Sequence, residues 1–216
     1  MLVKANARRH DAGMLIRDAR LQRFIDLTEG AILARVDTCK EARPAARRIF
    51  SALREKHGEH ARPCAKTLSM GRELVGALKI ANKEPELVAK LALAMTDLVP
   101  TLAWYRRKPD PSHAPNFANG HANAIVVGEG GIEIRSDVLI GISLMAPHVR
   151  YPDHEHPPEE VYISLAGGAW WKEGGEWQEP GPGGLIYNEP GVMHAMRAGQ
   201  EPLLAVWCLW TDTSST

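Results

Sequence analysis

Apolar residues in this chain change their spacing part-way along, and that change limits what it can fold into. Up to about residue 105 they recur at helical intervals. Leu21, Phe24, Ile25 and Thr28 make one face, Ile32, Leu33 and Val36 a second, and Ile49, Phe50 and Leu53 a third. Leu74, Val75 and Leu78 continue the pattern. The clearest stripe begins near Pro85 and runs through Leu87, Val88, Leu91, Met95, Leu98, Val99 and Leu102, close to a 3.6-residue period. Pro44 suits a first helical turn, Gly58 suits a stop, and Pro100 predicts a kinked or tightened end. The segment 109–120, rich in proline, asparagine and histidine, is the natural boundary. Beyond it come short β-branched and aliphatic runs at 124–127, 132–135, 138–144, 160–165 and 203–210, separated by glycine turns. Runs of that length and spacing read as strands of an antiparallel double-sheet barrel. The expected class is α+β, with a helical region over 1–110 packed on a barrel over 111–216.

At 216 residues the chain can bury a substantial core. Lysine plus arginine and aspartate plus glutamate both number 26, for a formal charge of zero. That balance argues against a nucleic-acid or anionic-membrane surface. No stretch approaches the length of apolar sequence needed to span a bilayer, and the first residues lack the pattern of a cleaved leader. Cys39, Cys64 and Cys208 are odd in number and lack ligand spacing, so they read as free, buried thiols in a reducing compartment. The expectation is a cytoplasmic protein. The Arg106-Arg107-Lys108 cluster reads as a solvated helix end, with an anion-binding role as the lesser reading.

The chemistry concentrates in Tyr151-Pro-Asp-His-Glu-His-Pro-Pro-Glu-Glu-Val-Tyr162. In an extended strand residues two apart share a face, so His154 and His156 project together, and Glu160 and Tyr162 repeat that spacing. A third histidine, His194, follows in Gly-Val-Met-His. Three imidazoles and a carboxylate suit a divalent transition metal with positions left open for substrate. Zinc, iron, manganese, nickel and cobalt all accept this ligand set. His154, His156, Glu160 and Gly167 follow the first cupin motif without its leading glycine. Gly184, Pro190, Gly191 and His194 outline the second, with the proline-to-histidine spacing one residue short. The architecture implied is the cupin jelly-roll, a double-stranded β-helix. Cupins often pair through sheet edges, so a homodimer is the candidate assembly.

From Trp104 to Trp210 the chain resembles the cupin-type dimethylsulfoniopropionate lyases. The lead-in Tyr151-Pro-Asp-His-Glu-His and the tail His194-Ala-Met-Arg carry that resemblance beyond the general cupin pattern. It implies a carbon–sulfur lyase whose metal is held by His154, His156, Glu160 and His194. Tyr162 would serve as metal neighbour or catalytic base, and Tyr151 would lie in the pocket. Lyases of this family often carry another tyrosine three residues before the last histidine. Here Gly191 takes that position, and Tyr187 is near but out of register.

The implied reaction is a β-elimination giving dimethyl sulfide and acrylate. A base removes the proton alpha to the carboxylate, and a cation on that carboxylate stabilises the developing charge. A free tyrosine, with a pKa near ~10, needs a neighbouring cation to act as that base. The substrate's sulfonium favours an aromatic face. Trp170 and Trp171 must face opposite ways in a strand, and Trp207 cannot share a face with Trp210. His113, His121 and His148 carry no motif, and His148 defaults to a surface loop near the mouth. Three alternatives stand beside the lyase: a lyase-like cupin acting on another small carboxylate, a cupin dioxygenase or isomerase, and a non-catalytic small-molecule binder.

Overall fold

The structure, a computed structural model, describes residues 17–66, 70–108 and 115–212. Four helices precede the strands: α1 (Ala19–Leu33), α2 (Ala42–Glu55), α3 (Gly71–Ala81) and α4 (Glu86–Leu98). Asp18 starts α1 by accepting from the Arg20 and Leu21 backbone N–H groups, as an N-cap should. On α4 the residues Val88, Leu91, Ala92, Met95 and Leu98 are buried. Each large one contributes about 1.5–3 kcal/mol by leaving water. Leu87, which the periodicity places on this stripe, is 37% exposed. Pro100 sits in a 3-10 turn, Val99–Thr101, that follows α4 directly, so the tightening expected there occurs. A short fifth helix, α5 (Phe117–Gly120), leads into the barrel.

Two short strands, β1 (Glu59–His60) and β2 (Trp104–Tyr105), fall within the stretch that reads as helical. Neither is long enough to show a period of two. They are followed by β3 (His121–Val127), β4 (Glu133–Ile134), β5 (Val138–Met145), β6 (Arg150–His154), β7 (Glu160–Ala166), β8 (Ala169–Lys172), β9 (Leu185–Asn188), β10 (His194–Arg197) and β11 (Leu203–Trp210). The larger sheet runs β1-β4-β3-β5-β11-β7-β9, with β2 paired to β3. The smaller runs β6-β10-β8. Almost all pairs are antiparallel, and the two sheets enclose the barrel interior.

The large sheet is buried on both faces. Ile140, Ile142 and Leu144 of β5, Val161, Ile163 and Leu165 of β7, and Leu204, Val206 and Cys208 of β11 join the helices in one apolar cluster. The alternate residues, among them Met145, Tyr162, Ala205, Trp207 and Leu209, line the interior with Tyr151 and Met196 of the other sheet. A sheet covered on both sides yields near-continuous apolar runs, and Val138–Met145 and Leu203–Trp210 read that way. Helices and sheet thus share a core. The boundary expected between residues 110 and 111 lies outside the described residues, as does His113.

A buried ionic network ties the helices to the sheet edge. The Arg17 guanidinium grips Glu133 in bidentate fashion, with N···O distances of 2.5 and 2.9 Å. It also donates to the Leu53 carbonyl at 2.9 Å. Arg135 donates to the carbonyls of Ala52 and Lys56 and to Asp137. Carbonyls at the end of α2 are therefore met by two arginines, Leu53 by Arg17 and Ala52, which also accepts from the Lys56 N–H, by Arg135.

Several sequence expectations need correcting. Arg106-Arg107-Lys108 follows β2 and ends no helix. Of the three cysteines only Cys208 is buried; Cys64 is exposed and Cys39 half-buried, and all three are free. The indoles fall as alternation demands: Trp170 is buried with the interior residues, Trp171 is half-buried, and Trp207 faces inward while Trp210 packs towards the helices.

Gly141 shows how closely the interior is packed. It pairs with Trp207 across β5 and β11, and a Cβ there would lie 2.1 Å from the indole. That ring cannot swing aside freely, because its Nε1 donates to the Ser143 hydroxyl at 3.1 Å. We expect Gly141→Ala to cost about 1–3 kcal/mol through overpacking. Thermal unfolding and tryptophan fluorescence would check this, and an unchanged Tm with unchanged emission would contradict it.

Candidate metal centre

His154 ends β6 and pairs across the small sheet with His194 of β10, which brings their ring centroids to 4.2 Å. His156 is not on that strand, contrary to the reading of 154 and 156 as neighbours on one strand face. It lies in the connection to β7, where its carbonyl accepts from the Gly191 N–H at 3.0 Å. Glu160 opens β7 in the opposite sheet. The site is therefore built where the two sheets face each other.

Each of these imidazoles is held in one tautomer. Nδ1 of His154 lies 2.8 Å from the Pro152 carbonyl, Nδ1 of His156 2.8 Å from that of Pro158, and Nδ1 of His194 2.9 Å from that of Val192. A carbonyl only accepts, so each Nδ1 carries a proton and each neutral ring keeps its lone pair on Nε2. Nε2 of His156 and Nε2 of His194 each lie 3.4 Å from Oε2 of Glu160. Ligand atoms of these three residues fall within 4.8 Å of one another. His154 stands beside this trio, its ring tilted by 54° against that of His194.

Two lone pairs aimed at a carboxylate repel it unless a positive charge lies between them. Nε2 of His194 is buried without a hydrogen-bond partner, and a buried acceptor of that kind is costly. A divalent cation would satisfy the arrangement, so the donor set fits one. Burial, reinforced by His194, lowers the His154 pKa to about 4. Burial raises the Glu160 carboxyl, but positive charge on the facing His156 and His194 rings outweighs it and brings the group to about 2. Asn188, opposite Glu160 in the β7/β9 register, donates to Oε2 at 3.0 Å and fixes the carboxylate's orientation.

A cavity of about 340 Å³ opens over this centre and is lined by His154, His156, Glu160, Tyr162, Tyr151 and Trp207, among others. Tyr162 is brought there by pairing with Ile186 and Trp207 on either side. Burial, then the Glu160 charge, pushes its hydroxyl well above its ordinary pKa. Tyr151 is also raised by burial, with Arg107 opposing the rise. A polar relay runs behind these rings: Ser143 donates to Asn123 at 2.7 Å, and Asn123 points at the Tyr151 hydroxyl at 3.5 Å.

The sequence profile of the dimethylsulfoniopropionate lyases matches residues 41–205. The chain belongs to that family. Dimethylsulfoniopropionate lyase DddQ of Ruegeria pomeroyi is 33% identical over 102 residues, which are 47% of this chain and 50% of that protein. The putative dimethylsulfoniopropionate lyase DddL of Cereibacter sphaeroides is 34% identical over 99 residues, 45% of this chain and 41% of its own. The chain spans about half the length of the curated relatives it matches. Two solved lyase structures share the fold over nearly their whole length. That of DddQ from R. pomeroyi has a TM-score of 0.66 at 21% identity, covering 93% of this chain and 95% of its own. The other, from work on the lyases RdDddP and RnDddQII, has a TM-score of 0.69 at 17% identity, covering 92% and 95%.

Within this family frame Gly191 has a physical reading. Its φ of +71° lies in the left-handed region that glycine adopts freely, and a Cβ there would meet nothing within 4 Å. Among the described residues no other side chain fills the place. Tyr187 points elsewhere and donates to Glu159 at 2.8 Å on the helix side. The residues that sequence reading missed are Tyr105, Asn123, Ser143 and Asn188. Each reaches the site through pairing with a strand distant in sequence. His121, unplaced by any motif, is buried and stacks on Phe117 at 3.8 Å between ring centroids. His148 is an exposed loop residue with φ of +62°.

Proposed function

We propose that this chain is a metal-dependent lyase cleaving dimethylsulfoniopropionate to dimethyl sulfide and acrylate. The observation that carries the reading is the set of tautomer-locked imidazoles meeting Glu160 beneath a tyrosine-lined cavity. His154, His156, Glu160 and His194 hold a divalent transition metal of the zinc, iron, manganese, nickel or cobalt class. Such an ion would supply positive charge to offset the substrate carboxylate and the charge that grows beside it as the alpha proton leaves.

The protein's own groups do the rest. Tyr162 is the base, and its oxygen accepts the alpha proton as the electron pair moves to form the acrylate double bond. The carbon–sulfur bond breaks with its pair on sulfur, so dimethyl sulfide leaves neutral. Burial beside Glu160 disfavours the Tyr162 phenolate, so the base works only while positive charge occupies the centre. Tyr151 orients substrate, and the Trp207 face receives the sulfonium. Leu139 and Leu209 exclude water from the cavity. The substrate is small, and no described helix is long and apolar enough to cross a membrane. The same reading places residues 1–110 as the helical support of a barrel over 111–216, in a cytoplasmic enzyme.

The test is to strip the purified protein with chelator and reload it with manganese, iron or zinc in parallel. Headspace dimethyl sulfide is then followed by gas chromatography. The expected result is release that depends on metal and falls to background after chelation. No release with a fully occupied site would sink the lyase reading and turn the search to other small carboxylates.

A further inference from the structure

β2 lays a short strap along the cavity mouth. Tyr105 pairs with Asn123 of β3 and lines the cavity while staying 42% exposed. Arg107, two residues on, continues in the same direction. Its backbone N–H donates to Nε2 of His121 at 2.9 Å. The other nitrogen of that imidazole is bound to the Phe117 carbonyl, so the buried ring is a fixed acceptor that holds the strap down. The Arg107 guanidinium lies over Tyr151, 5.9 Å from the ring centroid, and interacts with its hydroxyl.

We propose that Arg107 and Tyr105 form a carboxylate-recognition subsite at the mouth, separate from the metal ligands. The guanidinium is a permanent cation with several in-plane donors suited to a carboxylate. It stands at the rim of a cavity whose floor carries the Glu160 carboxylate, so an incoming anion meets positive charge first. A sulfonium is repelled from the same place and turns towards Trp207. The subsite therefore sets the direction in which a zwitterion enters, carboxylate end first, past Arg107 and Tyr151 towards the centre beneath. Free carboxylates such as propionate bind there as well. The Tyr105 hydroxyl, in the lining of the same cavity, supplies a second donor. The kinetic part of this inference rests on the lyase reading; the binding part does not.

Arg107→Gln tests it cleanly, because the anchoring N–H belongs to the backbone and remains. Zinc-loaded wild type, Arg107→Gln, Arg107→Lys and Tyr105→Phe are titrated with propionate by calorimetry, after their zinc content is matched. We expect Arg107→Gln to weaken binding about tenfold, as removal of one charge-assisted contact does. Arg107→Lys should recover part of it, and Tyr105→Phe should lose about threefold. With dimethylsulfoniopropionate as substrate, Arg107→Gln raises KM by a similar factor with little change in kcat. Equal propionate affinity in wild type and Arg107→Gln overturns the subsite, as does failure of wild type to bind propionate. Propionate binding that depends on Arg107, without any turnover of dimethylsulfoniopropionate, leaves the subsite standing and removes the lyase reading alone.

Discussion

Tyr162→Phe is expected to lower dimethyl sulfide release by about 10²–10⁴-fold at saturating metal, the usual worth of a positioned base. Zinc or manganese content measured on the same sample should stay close to wild type. The argument rests on what the substitution leaves alone. The ring is 3% exposed, packs at 6.2 Å from the Trp170 ring, and keeps its place between Ile186 and Trp207. Only the hydroxyl oxygen goes. His154, His156, His194 and Glu160 all retain their Nδ1–carbonyl or Asn188 contacts. Tyr151→Phe is the control: its hydroxyl is farther from Glu160's strand and should matter less. Retention of full turnover in Tyr162→Phe would remove the tyrosine from its role as base, whatever the metal does.

The largest effect on stability should come from Arg17→Ala. Glu133 is 2% exposed, and Arg17 supplies two of the contacts that make its charge tolerable. Removing the arginine leaves a buried carboxylate served by the Gly58 N–H at 3.0 Å and by Arg135 at 3.6 Å. Breaking one side of such a pair costs about 3–5 kcal/mol. Replacing both partners, as in Arg17→Met with Glu133→Leu, should return most of that loss, because no uncompensated charge remains. Urea unfolding of the two variants beside wild type decides the matter, and equal midpoints for Arg17→Ala and wild type would refute it.

The same pair gives a direction for pH. Burial raises the Glu133 carboxyl, but its bond to Arg17 prevails and the group sits below its ordinary pKa. A carboxyl lowered on folding stabilises fully above its unfolded pKa, about 4.3. That contribution is lost as pH falls below there and through the lowered folded value. Wild type should thus lose more stability on acidification than the double variant does.

The histidine and glutamate cluster was legible because its members are close in sequence and of diagnostic type. His154, His156 and Glu160 fall within seven residues of chain, and the helical stripe from Pro85 was legible for the same reason: local spacing records local structure. His156 nevertheless takes its place from the connection to β7. A loop pinned by Gly191 places it, and no strand alternation does. Asn188 and Tyr105 left no local trace, and the Arg106-Arg107-Lys108 cluster admits an anion-binding role without pointing to a place for it. Their position follows from β9 pairing with β7 and from β2 pairing with β3, and pairing between distant strands has no short-range signature. The Arg17–Glu133 contact spans 116 residues, so nothing near either partner announces it. Both-sided burial explains another blind spot, since an uninterrupted apolar run does not say which residues face the cavity.

The position of β11 has a consequence for how the molecule is made. It follows every other described strand in sequence, yet it lies in the middle of the large sheet, between β5 and β7. During synthesis β5 and β7 emerge early and wait with unsatisfied edges for a partner that comes last. Trp207, which walls the cavity, arrives with it. Assembly must therefore be late and dominated by long-range pairing, the slow regime of folding. A nascent chain halted before residue 203 would hold His154, His156, Glu160 and His194 but leave β7, which carries Glu160, without its β11 partner.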